Sequence, residues 1–292
     1  MENISPLSYE RQTVLNNINE ALLNGNHWQK AEIGDHAVSP EERERLASFD
    51  NRRRGTIKKI KSFAALRLAD SLTAKFNKNT AIVGIENAFD IDSGAVITSN
   101  HYNPTDSTPI RMLARAMGKR DRLHIMVQES NMLMTGLFGF LMKNCNTHPY
   151  VPSATYLTKS FMPFMEELLS AGDLLLVYPE AEMWYNYKKP RRERDGAFHI
   201  AAKYGVPVIP TFTEMITLNG ERDANGFLPV RHILHVLPPI YPDQSLSFRE
   251  NRAKMQKLDY ELKCKLYEEI YGVPLDDSFI PERDIAGIKA QN

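Results

Sequence analysis

Cysteine is scarce in this 292-residue chain, with Cys145 and Cys264 the only two. A pair cannot build a disulfide framework at this size, so a reducing, cytoplasmic setting is expected. A surplus of charge is missing too: Lys plus Arg and Asp plus Glu both number 36. That balance excludes a dedicated nucleic-acid binder, which needs basic excess to displace phosphate counterions. Long hydrophobic runs are also lacking. A spanning helix takes roughly 18–20 uncharged apolar residues, and the longest apolar stretch, 132–142, is about half that. The opening residues show no basic segment leading into an apolar one, so no secretory signal is expected. No Walker A loop or dinucleotide glycine fingerprint occurs. The cysteines and histidines, His232 and His235 included, lack metal-ligand spacing, so neither a metal nor a cofactor is expected. What is present, 42% apolar and 25% charged residues, excludes disorder and fibrous classes and leaves an ordinary folded protein.

Helical periods dominate the first eighty residues. Val14, Leu15, Ile18, Leu22 and Leu23 mark one face of a helix near 8–24. Ser39, Pro40 and Glu42 read as a capping box with proline in the first turn. A third helix is expected over about 56–76, with Ile57, Ile60, Ala64 and Leu68 on one side. Its leading edge is cationic: Arg52, Arg53, Arg54, Lys58, Lys59 and Lys61. After Lys78, short β-rich runs (81–85, 95–98, 123–127, 174–178, 206–212 and 233–237) alternate with helical patterns, the last from about 248 to 271. Strands separated by helices indicate an α/β fold, a largely parallel mixed sheet flanked by helices. The expected organisation is a helical N-terminal module over 1–78, an α/β domain over 79–275 and a C-terminal tail over 276–292.

The segment Thr98-Ser99-Asn100-His101-Tyr102-Asn103-Pro104-Thr105-Asp106 follows a strand and precedes a helix. Such loops lie at the carboxyl edge of an open α/β sheet, where ligands bind. Pro104 blocks a regular helix between His101 and Asp106, so a turn can fold the carboxylate back onto one imidazole nitrogen. That contact fixes the tautomer and leaves the other nitrogen to take a proton. No Ser or Cys sits in a nucleophile elbow, so the pair suits direct activation of a substrate hydroxyl. A polar turn satisfied within itself is the plainer alternative. Tyr178-Pro179-Glu180 ends a second strand and lands a carboxylate on the same edge, or else a solvated one in a turn. The loop 187–194 then carries Lys188, Lys189, Arg191, Arg192 and Arg194, which read as a phosphate site or as a solvated charge run.

The order Asn100-His101-x4-Asp106, Tyr178-Pro179-Glu180, Gly205-Val206-Pro207-Val208-Ile209-Pro210 resembles the PlsC-like glycerolipid acyltransferases, the lysophosphatidic acid acyltransferase family. Those carry N-H-x4-D, F-P-E-G and V-P-hydrophobic-x-P blocks in this order. Gly84-Ile85-Glu86-Asn87 looks like the family's G-x-E-N lead-in, and Gly196-Ala197 with Ala201 like its G-A-x-x-x-A helix. The resemblance covers about residues 80–245. It implies that His101 is the general base, Asp106 its orienting partner and Glu180 a binder of the acceptor's polar head. The implied reaction moves a fatty acyl group from a coenzyme A or acyl carrier protein thioester to a hydroxyl of a lysophospholipid or glycerol-phosphate-type acceptor, in phospholipid biosynthesis.

Two departures stand out. Ser153 falls where the family's second block has an arginine, and Ala181-Glu182-Met183-Trp184 replaces G-T-R-S after Pro-Glu. The expectation is that Lys188, Lys189, Arg191, Arg192 and Arg194 take over the acceptor phosphate. Leu133, Leu137, Phe138, Phe140 and Leu141, with the neighbouring methionines, are expected to line an acyl groove, or else to pack as an ordinary helix. The basic edge and apolar face of the third helix resemble an interfacial anchor, which would hold the protein peripherally on the inner face of a membrane. Other readings remain: a glycan or lipid-linked alcohol as acceptor, or a silent lipid-binding protein of the same fold.

Overall fold

The computed structural model describes residues 10–31, 36–48 and 55–289. Arg52, Arg53 and Arg54 of the expected cationic edge lie outside them. Three helices come first: α1 (Arg11–Leu23), α2 (Pro40–Ala47) and α3 (Thr56–Phe76). Ser39 and Glu42 form the capping box that starts α2. The α/β part then runs β1 (Ala81–Val83), β2 (Ala95–Thr98), α4 (Ser107–Ala116), β3 (Leu123–Gln128), α5 (Gly136–Asn144) and β4 (Thr147–Tyr150). It continues with α6 (Ala154–Tyr156), a π-helical turn over Leu157–Phe161, α7 (Met162–Ser170), β5 (Leu174–Val177), α8 (Gly196–Tyr204) and β6 (Val208–Thr217). Last come β7 (Val230–Val236), α9 (Phe248–Tyr271) and the short α10 (Pro281–Asp284). No helix of the described residues is long and apolar enough to cross a membrane.

The seven strands make one mixed sheet in the order β1-β7-β6-β2-β5-β3-β4. Only β6 and β7 pair antiparallel; the remaining neighbours are parallel. Every residue of β2 and β5 is buried, as central parallel strands covered on both faces require. Val96, Leu175 and Val177 join a core with α7, α8 and α9 on one face. Ile97, Leu174 and Leu176 alternate to the other face, under α4. Two strand features escaped the sequence pattern. β4 is a short edge strand containing Pro149, which the ladder tolerates only at an edge. β6 runs on to Thr217 because β7 offers it an antiparallel partner.

The lead-in turn is explained by one carbonyl. Gly84 has φ 73° and a Cβ there would collide with the Val236 carbonyl, which also accepts a 2.9 Å hydrogen bond from Asn87 Nδ2. Only glycine meets both demands.

The buried face of α3 differs from the expected one. Ser62, Ala65, Leu66, Ala69 and Thr73 are buried, against Leu141 and Cys145 of the α5 region. Small residues let the two helices approach closely, so the larger side chains are turned outward. Ile57 is 71% exposed, Ile60 63% and Phe63 65%, and Ala64 is exposed with them.

Beneath the sheet's carboxyl edge, α9 contributes a buried ionic network. Lys263 Nζ lies 2.7 Å from Glu193 Oε1 and 2.5 Å from Asp259 Oδ2. Thr98, the last residue of β2, donates to Asp259 Oδ1 at 2.5 Å. Burial pushes the Glu193 carboxyl up, and the Asp259 charge adds to this. Removing one partner strands buried charge, which costs about 3–5 kcal/mol. Lys263→Ala is therefore expected to lower the unfolding free energy by about that amount in denaturant titration; a loss below about 1 kcal/mol would show that the network carries little.

Candidate active site

The turn after β2 is built by its own side chains. Asn103 Oδ1 accepts from the Thr105 amide at 3.0 Å and from its hydroxyl at 2.8 Å. The Asp106 amide returns to the Asn103 carbonyl at 3.0 Å, with Pro104 in the tight turn between them. This brings Asp106 back toward the strand. Asp106 occupies the N-cap position of α4 but makes no side-chain cap bond there. Its Oδ2 instead lies 2.6 Å from His101 Nδ1 and accepts the Tyr102 amide at 3.2 Å. The amino end of α4 favours the carboxylate charge in either role.

With Nδ1–H donating to Asp106, the lone pair of His101 lies on Nε2. The imidazole is 23% exposed while its carboxylate is 4% exposed, so the ring can be reached and its partner is shielded. Tyr178 stacks on the imidazole with ring centroids 4.2 Å apart and planes 17° from parallel. Burial, then the charge of Asp106, push the Tyr178 phenol well up. On the far side of Tyr102, burial pushes the His232 imidazole down to about 4, so it is neutral at pH 7. Asn100 locks the strand end sideways: its Oδ1 accepts the Thr213 amide at 2.8 Å and its Nδ2 donates to the Thr213 carbonyl at 3.2 Å. Those two bonds continue the β2–β6 ladder by one side chain.

Glu180 is where the structure departs most from expectation. It is buried, and its Oε2 accepts the His101 amide at 3.1 Å. Its Oε1 accepts the Arg191 amide at 3.1 Å, and the Arg191 guanidinium lies 3.0 Å from Oε2. Glu180 thus ties two loops together, with both carboxylate oxygens engaged by protein donors. Much of the cationic loop is likewise turned inward. Arg191 also donates to the carbonyls of His27 and Glu182 and sits over the Trp184 ring. Lys189 is buried and pairs with Asp276 at 2.8 Å and Asp284 at 3.3 Å. Lys188 donates to the Arg283 carbonyl at 2.7 Å. Arg194 is exposed but stacks over Trp28, and Arg192 is exposed with its carbonyl held by the Trp28 indole. Burial of an unpaired cation is prohibitive, so each inward one has found a carboxylate or carbonyl. Of the expected phosphate-site cations, Lys188, Lys189 and Arg191 are thus turned inward onto protein groups, and only Arg192 and Arg194 of the five are exposed. Ser153 caps the short α6 through the Tyr156 amide.

Nor do the expected acyl-groove residues share one surface. Leu133 packs on the α7–α8 core, and Phe140 and Leu141 pack on α3. Leu137 and Phe138 are exposed. Leu133 precedes α5, and α5 itself turns Phe140 and Leu141 to α3 but Leu137 and Phe138 to solvent, which the apolar run as a string hid.

Three contributors were missed in the sequence. Gln128 ends β3 and donates to Glu182 Oε1 at 3.0 Å; nothing local marked the pair. The tail segment buries Asp284, Ile285 and Ala286, and the Ala286 amide donates to Asn186 O, whose own amide donates to Tyr102 O at 2.7 Å. Ala181 takes φ 65°, the left-handed conformation that the family's glycine would adopt freely.

Fold and site together define an α/β protein with a His–carboxylate pair over the ends of its central strands. Residues 79–214 match the family model described as Acyltransferase. A solved structure, the 1-acyl-sn-glycerophosphate (LPA) acyltransferase PlsC from Thermotoga maritima, is similar at 18% identity, with a TM-score of 0.52 over 80% of this chain and 90% of that one. No curated protein matches. The middle of the chain therefore resembles the Acyltransferase family, and the fold is similar to that of PlsC.

The burial pattern separates the two adjacent arginines. Arg191→Ala removes one side of a buried pair and is expected to destabilise the fold by about 3–5 kcal/mol. Arg192→Ala should stay within about 0.5 kcal/mol of the parent. Thermal or denaturant melts that rank them the other way would contradict the structural role of Arg191.

Proposed function

We propose that the protein is an O-acyltransferase that moves a fatty acyl group from a coenzyme A or acyl carrier protein thioester to the hydroxyl of a lysolipid-type acceptor, serving phospholipid or related glycerolipid synthesis. The observation that carries the reading is the 2.6 Å contact of Asp106 with His101 Nδ1, inside the stretch that resembles the Acyltransferase family. His101 Nε2 takes the proton of the acceptor hydroxyl as its oxygen attacks the thioester carbonyl. The tetrahedral intermediate collapses with loss of the thiolate, and the imidazolium returns the proton to sulfur. The products are an ester and a free thiol. Asp106 holds the tautomer and stabilises the imidazolium; no cofactor beyond the thioester is needed. Glu180 supports the base through the His101 peptide.

The solvent-facing stripe of α3 supports a membrane-surface setting. Ile57, Ile60, Phe63 and Ala64 are exposed beside Lys59 and Lys61, an apolar face with cationic flanks suited to anionic lipid. Leu137 and Phe138 are exposed on α5, whose other side packs on α3.

Two measurements test these readings. General-base catalysis is worth on the order of 10²–10⁴-fold, so His101→Ala and Asp106→Ala should each lose acceptor-dependent thiol release by a factor in that range, with circular dichroism unchanged. Full activity in both variants would overturn the assignment. Replacing Ile60 and Phe63 by serine should weaken flotation with vesicles containing anionic lipid, with thermal stability kept. Equal flotation of the variant would remove α3 from the membrane contact.

A further inference from the structure

The turn 180–184 is bolted to His101 at both ends. Glu180 Oε2 accepts the His101 amide, and the Trp184 amide donates to the His101 carbonyl at 3.1 Å. Glu182 lies between these anchors, so its backbone is fixed beside the base. Its side chain reaches past the end of β5 to Gln128, the last residue of β3, at 3.0 Å. Both side chains are half-buried, shielded enough to bind strongly and open enough to be reached. Next in the chain, Met183 occupies the place of the family's arginine and is buried. Trp184 is fully buried, with its indole donating to the Gln29 carbonyl at 2.9 Å.

The local electrostatics follow. Inward cations of the 188–194 loop are held by carboxylates and carbonyls, and Arg111 of α4 donates to the Cys145 carbonyl at 3.4 Å. On the turn tied to the His101 backbone stands a carboxylate with one oxygen on Gln128; its other oxygen makes no hydrogen bond among the described residues. A phosphomonoester would meet like charge here. A carboxylate next to a primary amide suits vicinal hydroxyls: the carboxylate accepts from O–H, and the amide both donates and accepts.

Resting on the acyltransferase reading above, we infer that Glu182 and Gln128 form the acceptor-head subsite, and that it takes an uncharged, hydroxyl-rich headgroup in place of a phosphomonoester. Glu182 sets this preference and takes no part in proton transfer.

The test uses the full chain with one acyl-CoA donor and three acceptors: 1-acylglycerol 3-phosphate, monoacylglycerol and a glycosylated monoacylglycerol. Thiol release and ester product are both followed. The wild-type protein is expected to favour one of the uncharged acceptors over the phosphate at least tenfold in kcat/KM, and the comparison of those two tells glyceryl from glycosyl recognition. Loss of a charge-assisted hydrogen bond corresponds to roughly ten- to hundredfold in affinity. Glu182→Ala should raise KM for the favoured acceptor by that factor with kcat nearly kept, and Glu182→Gln should give an intermediate value. Equal or better use of the phosphate acceptor by the wild type would overturn the inference, as would unchanged KM in both Glu182 variants. Thiol release that needs no acceptor, or does not depend on His101, would instead overturn the acyltransferase reading beneath it.

Discussion

The site depends on a buried carboxylate surrounded by protein donors. Glu180 accepts the amide of His101, the amide of Arg191 and the guanidinium of Arg191. In a low-dielectric setting such a charge is tolerable only when fully hydrogen-bonded, and it then holds its donors firmly. The peptide that carries the His101 imidazole is thereby fixed to the end of the neighbouring strand. Arg191 supplies the compensating charge, which is why it points inward.

The same logic recurs below and behind the site. Asp259 on α9 reaches Thr98 at the end of β2, and Lys263 on α9 reaches Glu193. The strand end and the loop after Glu180 therefore share one helix as a backing. Lys188 and Lys189 are tied to α10 and the segment before it. Polar groups in the interior make this part of the molecule specific in geometry, since an unmatched partner would be expensive at every junction. Apolar packing supplies the sheet; ionic contacts set the loop that lies over it.

Much of the architecture was legible because it rests on local rules. Capping residues at Ser39 and Glu42, the β-rich runs of β2 and β5 and the long period of α9 all report nearest-neighbour physics. The turn of Asn103, Pro104 and Asp106 was legible for the same reason: a proline and a short polar side chain specify it within a few residues. What sequence could not convey was which charges face inward. A string of Lys and Arg looks the same whether it awaits a phosphate or already holds Asp276, Asp284 and Glu180, residues near and far along the chain. The outward turn of Ile57, Ile60 and Phe63 was hidden likewise, because it depends on how closely α5 approaches.

The contact of Ala286 with Asn186, and of Asn186 with Tyr102, has a consequence for the order of assembly. Synthesis proceeds from the amino end, so the turn at 101–106 emerges long before residues 284–286. Until those arrive, the inward lysines of the overlying loop lack part of their counter-charge, and the peptide next to the base lacks its outer brace. Folding of the rim around His101 is thus a late step governed by contacts of large sequence separation, which are slow to form. A ribosome-bound chain would hold a finished sheet before it held a finished rim around His101.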